Sequence, residues 1–241
     1  MAKYIIADIH GCHKELLQCI ERSGFNPQED TLISLGDLVD RGPASFQVVE
    51  YIKNLPNKIC IRGNHDVWWY EFLKTGLHPC DFHHGARETY ISYEAMEEEM
   101  QEKLQSHREF FGSQIDYYLD NDGNLFVHGG INRHQLLDKQ SDSVVYYWDR
   151  DMFMQALSAG ILVNGNIPNS KQSITFKDDR IKRVFIGHTP TINFKVEGND
   201  LPLFASNGKV INLDTGCCFG NKLTIMNLDT LEYWQSDLYK N

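Results

Sequence analysis

The chain has 241 residues, 41% of them apolar, and a formal net charge of -10. That length supports one large packed core, and the acidic balance argues against general binding to nucleic acid or to an anionic membrane, whose protein partners present basic patches. Met1-Ala2-Lys3 runs into Tyr4-Ile5-Ile6-Ala7 and then Asp8, too short an apolar stretch for a signal peptide, and no run of about eighteen apolar residues is present to span a bilayer, so a cytoplasmic protein is expected.

Residues 3–8 form a compact apolar run ending in Asp8-Ile9-His10-Gly11, and Leu16, Leu17 and Ile20 then recur at helical spacing up to Gly24. Residues 31–35 repeat the strand pattern and end in Gly36-Asp37-Leu38-Val39-Asp40-Arg41-Gly42; Pro43 suits the first turn of a helix carrying Phe46, Val49, Tyr51 and Ile52. A third strand, Ile59-Cys60-Ile61, ends in Arg62-Gly63-Asn64-His65-Asp66 before a helix rich in aromatics, among them Trp68 and Trp69. Three strand–loop–helix units in succession predict a parallel sheet covered by helices, with the polar loops beyond the carboxyl ends of the strands, where such sheets bind ligands.

From about 76 to 121 this rhythm stops, and the acidic, helix-favouring stretch there reads as a helical insertion or cap within a single domain. Its run Glu97-Glu98-Glu99 reads as a solvated helix face, and its His83-His84 pair as surface residues within reach of a substrate. Strands then resume: Leu125-Phe126-Val127 ends in His128-Gly129-Gly130, and Val184-Phe185-Ile186 ends in Gly187-His188-Thr189-Pro190, with Trp148-Asp149-Arg150 and a helix between them. The tail, with Val210-Ile211-Asn212-Leu213-Asp214 and two later apolar runs, alternates and turns as antiparallel strands do. The predicted architecture is an α/β sandwich of two sheets with helices outside. The six cysteines show no C-x-x-C pair, so reduced, mostly buried thiols are expected, and a redox role for Cys217-Cys218 is a minor alternative.

An apolar strand ending in a metal-capable side chain beside glycine occurs five times, at Asp8/His10, Asp37, Asn64, His128 and His188. Two carboxylates, three imidazoles and one amide oxygen make a nitrogen and oxygen donor set without thiolate. That set suits borderline ions such as Mn²⁺, Fe or Zn²⁺, and six ligands exceed what one catalytic ion needs, so two ions are expected.

The motifs Asp8-x-His10-Gly11, Gly36-Asp37-x-x-Asp40-Arg41-Gly42, Gly63-Asn64-His65-Asp66, His128-Gly129-Gly130 and Gly187-His188 resemble those of the calcineurin-like metallophosphoesterases, specifically their phosphoprotein phosphatase branch. The resemblance implies a four-layer α/β/β/α sandwich of two mixed sheets. It implies that Asp8, His10 and a bridging Asp37 hold one ion, and Asp37, Asn64, His128 and His188 the other. It makes His65 the general acid, oriented by Asp40, and Arg41, Arg150 and Asn64 the contacts of the phosphate. Arg62 either assists or supports, Asp66 caps the following helix or orients the loop, and Asp214-Thr215-Gly216 is either a plain turn or a support behind the ligands.

The chemistry accounts for these residue types. Phosphoryl transfer needs charge neutralisation and in-line positioning, and two ions about 3.5–4 Å apart provide both along with an activated water. An acidic protein can draw in an anion through such a local field. The implied activity is hydrolysis of phosphomonoesters, first as a bacterial-type serine/threonine protein phosphatase and alternatively as a hydrolase of dinucleoside polyphosphates such as diadenosine tetraphosphate. The symmetrical tetraphosphatases usually carry alanine where this chain has Asp40, which favours a phosphorylated protein as substrate over a nucleotide. An inactive interaction scaffold is a remote third reading, since such proteins usually lose a ligand or the acid and here all are present.

Overall fold

Alternation along short strands decides the layering. In β1 (Lys3–Ile6) and the residue after it, Tyr4 and Ile6 face a helical layer while Ile5 and Ala7 face the opposite way; in β2 (Thr31–Ser34), Leu32 and Ile33 divide likewise. In β5 (Asn124–Val127) and β7 (Arg183–Ile186), Leu125, Val127, Val184 and Ile186 face helices, and Phe126 and Phe185 point between the sheets. Three apolar cores result, one under each helical layer and one between the sheets, where the Phe126 and Phe185 rings stack at 5.1 Å. Four layers, α/β/β/α, follow from three cores. The structure is a computed structural model and describes residues 1–77, 83–95, 100–162, 173–196 and 198–240.

The first sheet has the order β11-β10-β1-β2-β3, with β3 at Lys58–Cys60, β10 at Thr224–Asn227 and β11 at Tyr233–Gln235. β1, β2 and β3 run parallel, and β10 and β11 are antiparallel additions on the other side of β1. Helices α1 (His13–Ser23), α2 (Ser45–Asn54) and α3 (Asn64–Thr75) are the connections expected after the three parallel strands. The second sheet has the order β4-β5-β7-β9-β8-β6, with β4 at Tyr117–Leu119, β6 at Ile161–Leu162, β8 at Leu203–Ala205 and β9 at Val210–Asn212. In this sheet β5, β7 and β9 are parallel to one another.

Two expectations are corrected here. Residues 210–214 do not belong to an antiparallel tail, because β9 lies parallel to β7 and only its other edge, against β8, is antiparallel. The segment 76–121 is not helical throughout either: α4 (Ala86–Glu94) and α5 (Met100–Ser113) are followed by β4, which pairs with β5 and extends the second sheet. Tyr93, Phe110 and Phe111 of α4 and α5 are buried in the core that α1, α2 and α3 also line, so these helices complete the outer layer. Glu97, Glu98 and Glu99 lie outside the described residues.

The remaining helices, α6 (Val145–Trp148) and α7 (Asp151–Ser158), cover the second sheet, with Asp149 capping α7 through a 3.0 Å bond from the Met152 N–H. Cys12, Cys19 and Cys217 are buried and Cys60 and Cys218 half-buried, all as free thiols; Cys80 lies outside the described residues. Burial pushes the Cys19 and Cys60 thiols up to about 12 and raises that of Cys218, while a hydrogen bond with Cys12, together with burial, raises that of Cys217, which suits inert packing rather than redox chemistry. Among the described residues no helix is long and apolar enough to cross a membrane.

Candidate functional site

All the candidate ligands sit where parallel strands end. Asp8 and His10 follow β1, Asp37, Asp40 and Arg41 follow β2, Asn64 and His65 open α3 after β3, His128 follows β5 and His188 follows β7. Asp8, His10, Asp37, Asp40, Arg41 and His188 all adopt left-handed backbone angles, with φ between 47° and 72°. Side chains disfavour that region by roughly 1–3 kcal/mol each, so the surrounding fold must hold them there. Gly187 and Gly63 explain part of the fit: a Cβ on Gly187 would stand 1.9 Å from Asp8 Oδ2, and one on Gly63 2.1 Å from Asp37 Oδ1.

The imidazoles are fixed by their outer nitrogens. His10 Nδ1 donates to the Val39 carbonyl and His128 Nδ1 to the Leu35 carbonyl, each at 2.7 Å, leaving both Nε2 atoms turned inward. His188 Nε2 is buried and has no hydrogen-bond partner among the described residues. Burial, with the His128 and Arg150 charges, pushes His188 down to about 2, and burial with Arg41 holds His10 well below the ordinary imidazole range. Both are therefore neutral, the form that ligates metal. For His128, burial acts downward but the Asp37 and Asp8 carboxylates prevail and hold it up at about 9.

Donor atoms of His10, Asp37 and His65 lie within 4.8 Å of one another, and so do those of Asp37, His128 and His188. Asp37 belongs to both groups. Its Oδ2 lies 3.4 Å from His10 Nε2 and 3.4 Å from His128 Nε2, while Oδ1 accepts the His65 N–H at 3.0 Å. Burial alone would raise its carboxyl, but His128, His65 and His10 hold it well below the usual range. Asn64 Oδ1 reaches His128 Nε2 at 3.2 Å. Asp8 is in neither group, and each of its oxygens accepts from the His188 N–H, at 3.0 and 3.1 Å; burial and its carboxylate neighbours Asp214 and Asp37 raise its pKa, which a bound cation would reverse. The inward Nε2 of His10, the orphaned Nε2 of His188, the shared carboxylate and His128, whose proton a bound cation would displace, fit two divalent cations.

His65 donates from Nδ1 to Asp40 Oδ2 at 2.6 Å, and Asp40 is held in turn by Thr89, whose hydroxyl reaches Oδ1 at 2.9 Å and accepts the Asp40 N–H at 2.7 Å. Arg41 spans the site, with Nη2 2.9 Å from His65 Nε2 and Nη1 against His10 Nε2, so a positive group already rests on a lone pair turned toward the centre. Arg150 Nη1 donates to the His188 carbonyl and the Thr189 hydroxyl, both at 3.1 Å. Arg41, Arg150, Asp37, Asn64, His65 and His188 share a cavity of about 400 Å³. A larger hollow of about 710 Å³ beside Arg133 and Gln155 contains none of them.

Supporting residues resolve as well. Asp66 orients the loops: its carboxylate accepts the N–H groups of Asp37, Leu38 and Gly63 at 3.0, 2.9 and 3.1 Å. Arg62 is committed to the Gln114 carbonyl and Asp116, at 2.7 and 3.2 Å. Asp214 accepts the Gly216 N–H at 3.1 Å in a turn and is pushed up to about 6 by burial and the neighbouring Asp37, so it is both turn and neighbour of the centre. Thr89 and the cavity rings Trp68, Trp148 and Phe219 escaped the sequence reading. Trp68 was visible only as one of several helix aromatics, and nothing near Thr89 marks it.

The calcineurin-like phosphoesterase family model matches residues 1–192. The chain belongs to that family. The symmetrical bis(5'-nucleosyl)-tetraphosphatase of Salmonella typhimurium is 47% identical over 68 residues, which is 28% of this chain and 24% of that protein. The match thus spans about a quarter of that relative's length. Among solved structures, a Saccharomyces cerevisiae serine/threonine phosphatase similar to human PP5 superposes with a TM-score of 0.64 at 17% identity, covering 100% of this chain and 81% of the other. A cold-active protein tyrosine phosphatase gives 0.58 at 18% identity, covering 98% and 76%. These likenesses are of fold alone.

Proposed function

We propose that this metallophosphoesterase hydrolyses phosphomonoesters, with His65 as the acid that protonates the departing oxygen. The observation that carries this reading is the 2.6 Å bond from His65 Nδ1 to Asp40 in the cavity that also holds Arg41 and the buried donor groups. Two divalent ions, Mn²⁺ first and Fe or Zn²⁺ next, would be held by Asp8, His10 and Asp37 and by Asp37, Asn64, His128 and His188; when bound they supply an activated water and charge neutralisation. Arg41 turns from the imidazoles to the phosphate oxygens, and Arg150 and the Asn64 amide bind there too. Release of Arg41 frees His65 Nε2 to carry a proton, while Asp40 fixes the ring through Nδ1.

An acid at this place serves an alkoxide leaving group, such as the serine or threonine oxygen of a phosphorylated protein, more than a phosphate one. A dinucleoside polyphosphate is the second reading, favoured by the tetraphosphatase relatives. Replacing His65 with Asn should lower kcat on an alkyl phosphate about 10²–10⁴-fold and much less on p-nitrophenyl phosphate, whose leaving group needs no proton. Equal losses on both would remove His65 as the acid, and no hydrolysis of either by metal-loaded wild type would remove the activity. Competing phosphopeptides against diadenosine tetraphosphate decides the substrate: a higher kcat/KM on the nucleotide would select the second reading.

A further inference from the structure

Beside the phosphate contacts the cavity has an aromatic wall that the reaction above leaves unused. Trp68 lies one helical turn after His65 on α3, and their ring centroids are 4.9 Å apart. His84, whose φ of 64° is left-handed, stacks on Trp68 at 5.6 Å with an interplanar angle of 25°. Trp148, at the end of α6, is 5.4 Å from Trp68 and 5.6 Å from His188. Phe219 also lines the cavity and carries the Arg41 guanidinium 5.0 Å from its ring centre. Trp148 and Phe219 are 40% and 52% exposed, whereas Trp69, the neighbour of Trp68, is 1% exposed in the core. Packing therefore accounts for Trp69 but leaves the faces of Trp148 and Phe219 in contact with water.

We infer that this wall is a subsite for a planar ring carried by the alcohol half of the substrate, so that among small phosphate esters ring-bearing ones are preferred over aliphatic ones, which favours the nucleotide reading above over a serine or threonine phosphate. The inference rests on the phosphoesterase reading of the same site. A phosphate held by Arg41 and Arg150 directs its ester oxygen toward His65, and whatever that oxygen carries leaves the centre across Trp68 and Trp148. Indole faces bind planar π systems by offset or edge contacts, and they do not distinguish a nucleobase from a phenol ring. Four separate segments converge to build the wall: α3, the turn before α4, α6, and the turn between β9 and β10 that carries Phe219. His84 gives the segment 76–121 its one ring contact with this cavity among the described residues.

The test compares kcat/KM for phenyl phosphate, AMP and 2-glycerol phosphate in wild type, Trp148→Ala and Trp148→Phe; differences in leaving-group reactivity cancel between variants. The ratio of a ring-bearing to the aliphatic ester should fall about 10-fold in Trp148→Ala and return in Trp148→Phe. A fall for phenyl phosphate identifies a ring on the ester oxygen itself, and a fall for AMP alone identifies one a ribose away. A second readout needs no turnover: phenylphosphonate should quench tryptophan fluorescence at lower concentration than methylphosphonate, and Trp148→Phe should weaken that quenching. Ratios unchanged in Trp148→Ala, or equal quenching by the two phosphonates, would overturn the subsite. Absence of turnover with selective quenching would instead overturn the phosphoesterase reading alone.

Discussion

At the scale of single residues, Asp37 and Asp40 stand three positions apart in one loop and have separable surroundings. Asp37 touches both groups of candidate ligands, whereas Asp40 contacts only His65 and Thr89 among the side chains of the site. Asp37→Asn should therefore abolish tight binding of both ions, and Asp40→Ala should retain them while depressing turnover of alkyl phosphates. Metal content per chain after desalting measures the difference; loss of metal in both variants would show that Asp40 belongs to the metal centre. The candidate ligand positions stand out in the sequence because each lies in a short polar segment with glycine at the end of an apolar run, where an unpartnered charge would be costly. Thr89 was not legible, since its contact with Asp40 crosses 49 residues and nothing local distinguishes a hydroxyl that holds a carboxylate from one that faces water.

At the scale of elements, the outer helical layer is stitched by a polar chain. Glu50 of α2 accepts from His107 of α5 at 2.7 Å and pairs with Lys53 at 2.6 Å and with Lys103 of α5, and His107 continues to the Tyr93 hydroxyl of α4 at 2.8 Å. Partial burial acts upward on the Glu50 carboxyl, but Lys103, Lys53 and His107 prevail and hold it down at about 2, against about 4.5 when unfolded. Its contribution is thus complete above about pH 4.5 and lost as the pH falls toward 2. Glu50→Gln should cost about 1–2 kcal/mol at pH 7, after allowing for the partly exposed lysines, with the two proteins converging below pH 4.5. Urea unfolding across that range measures it, and a constant difference would assign the loss to packing. The helices α1 and α2 were readable from the spacing of their apolar residues, but α4 was not, and β6 and β8, of two and three residues, are too short for alternation to show. The direction of β9 follows from a partner, β7, that the local pattern does not name.

At the scale of the whole molecule, the candidate centre closes the gap between the sheets. The His188 N–H after β7 reaches Asp8 after β1, and His128 after β5 reaches the Leu35 carbonyl after β2, so each sheet holds groups of the other. Ions shared across that seam bind the docked sheets and not the separated ones. Saturating Mn²⁺ at about 100 times its dissociation constant should raise Tm by about 5–10 °C, and chelation should reverse it. An unchanged Tm in wild type despite measured metal binding would show that the unfolded chain binds the ions as tightly, and so that the assembled seam is not what holds them. The order of the first sheet carries a consequence for synthesis. β1 lies between β2 and β10, so the strand made first acquires its second neighbour only when residues 224–227 have been made. Every candidate ligand, His188 included, precedes β10 in the chain and has by then been made. The growing chain therefore holds the full set of donors while one edge of their central strand is still open, and the last hairpin fixes Asp8 and His10 in place.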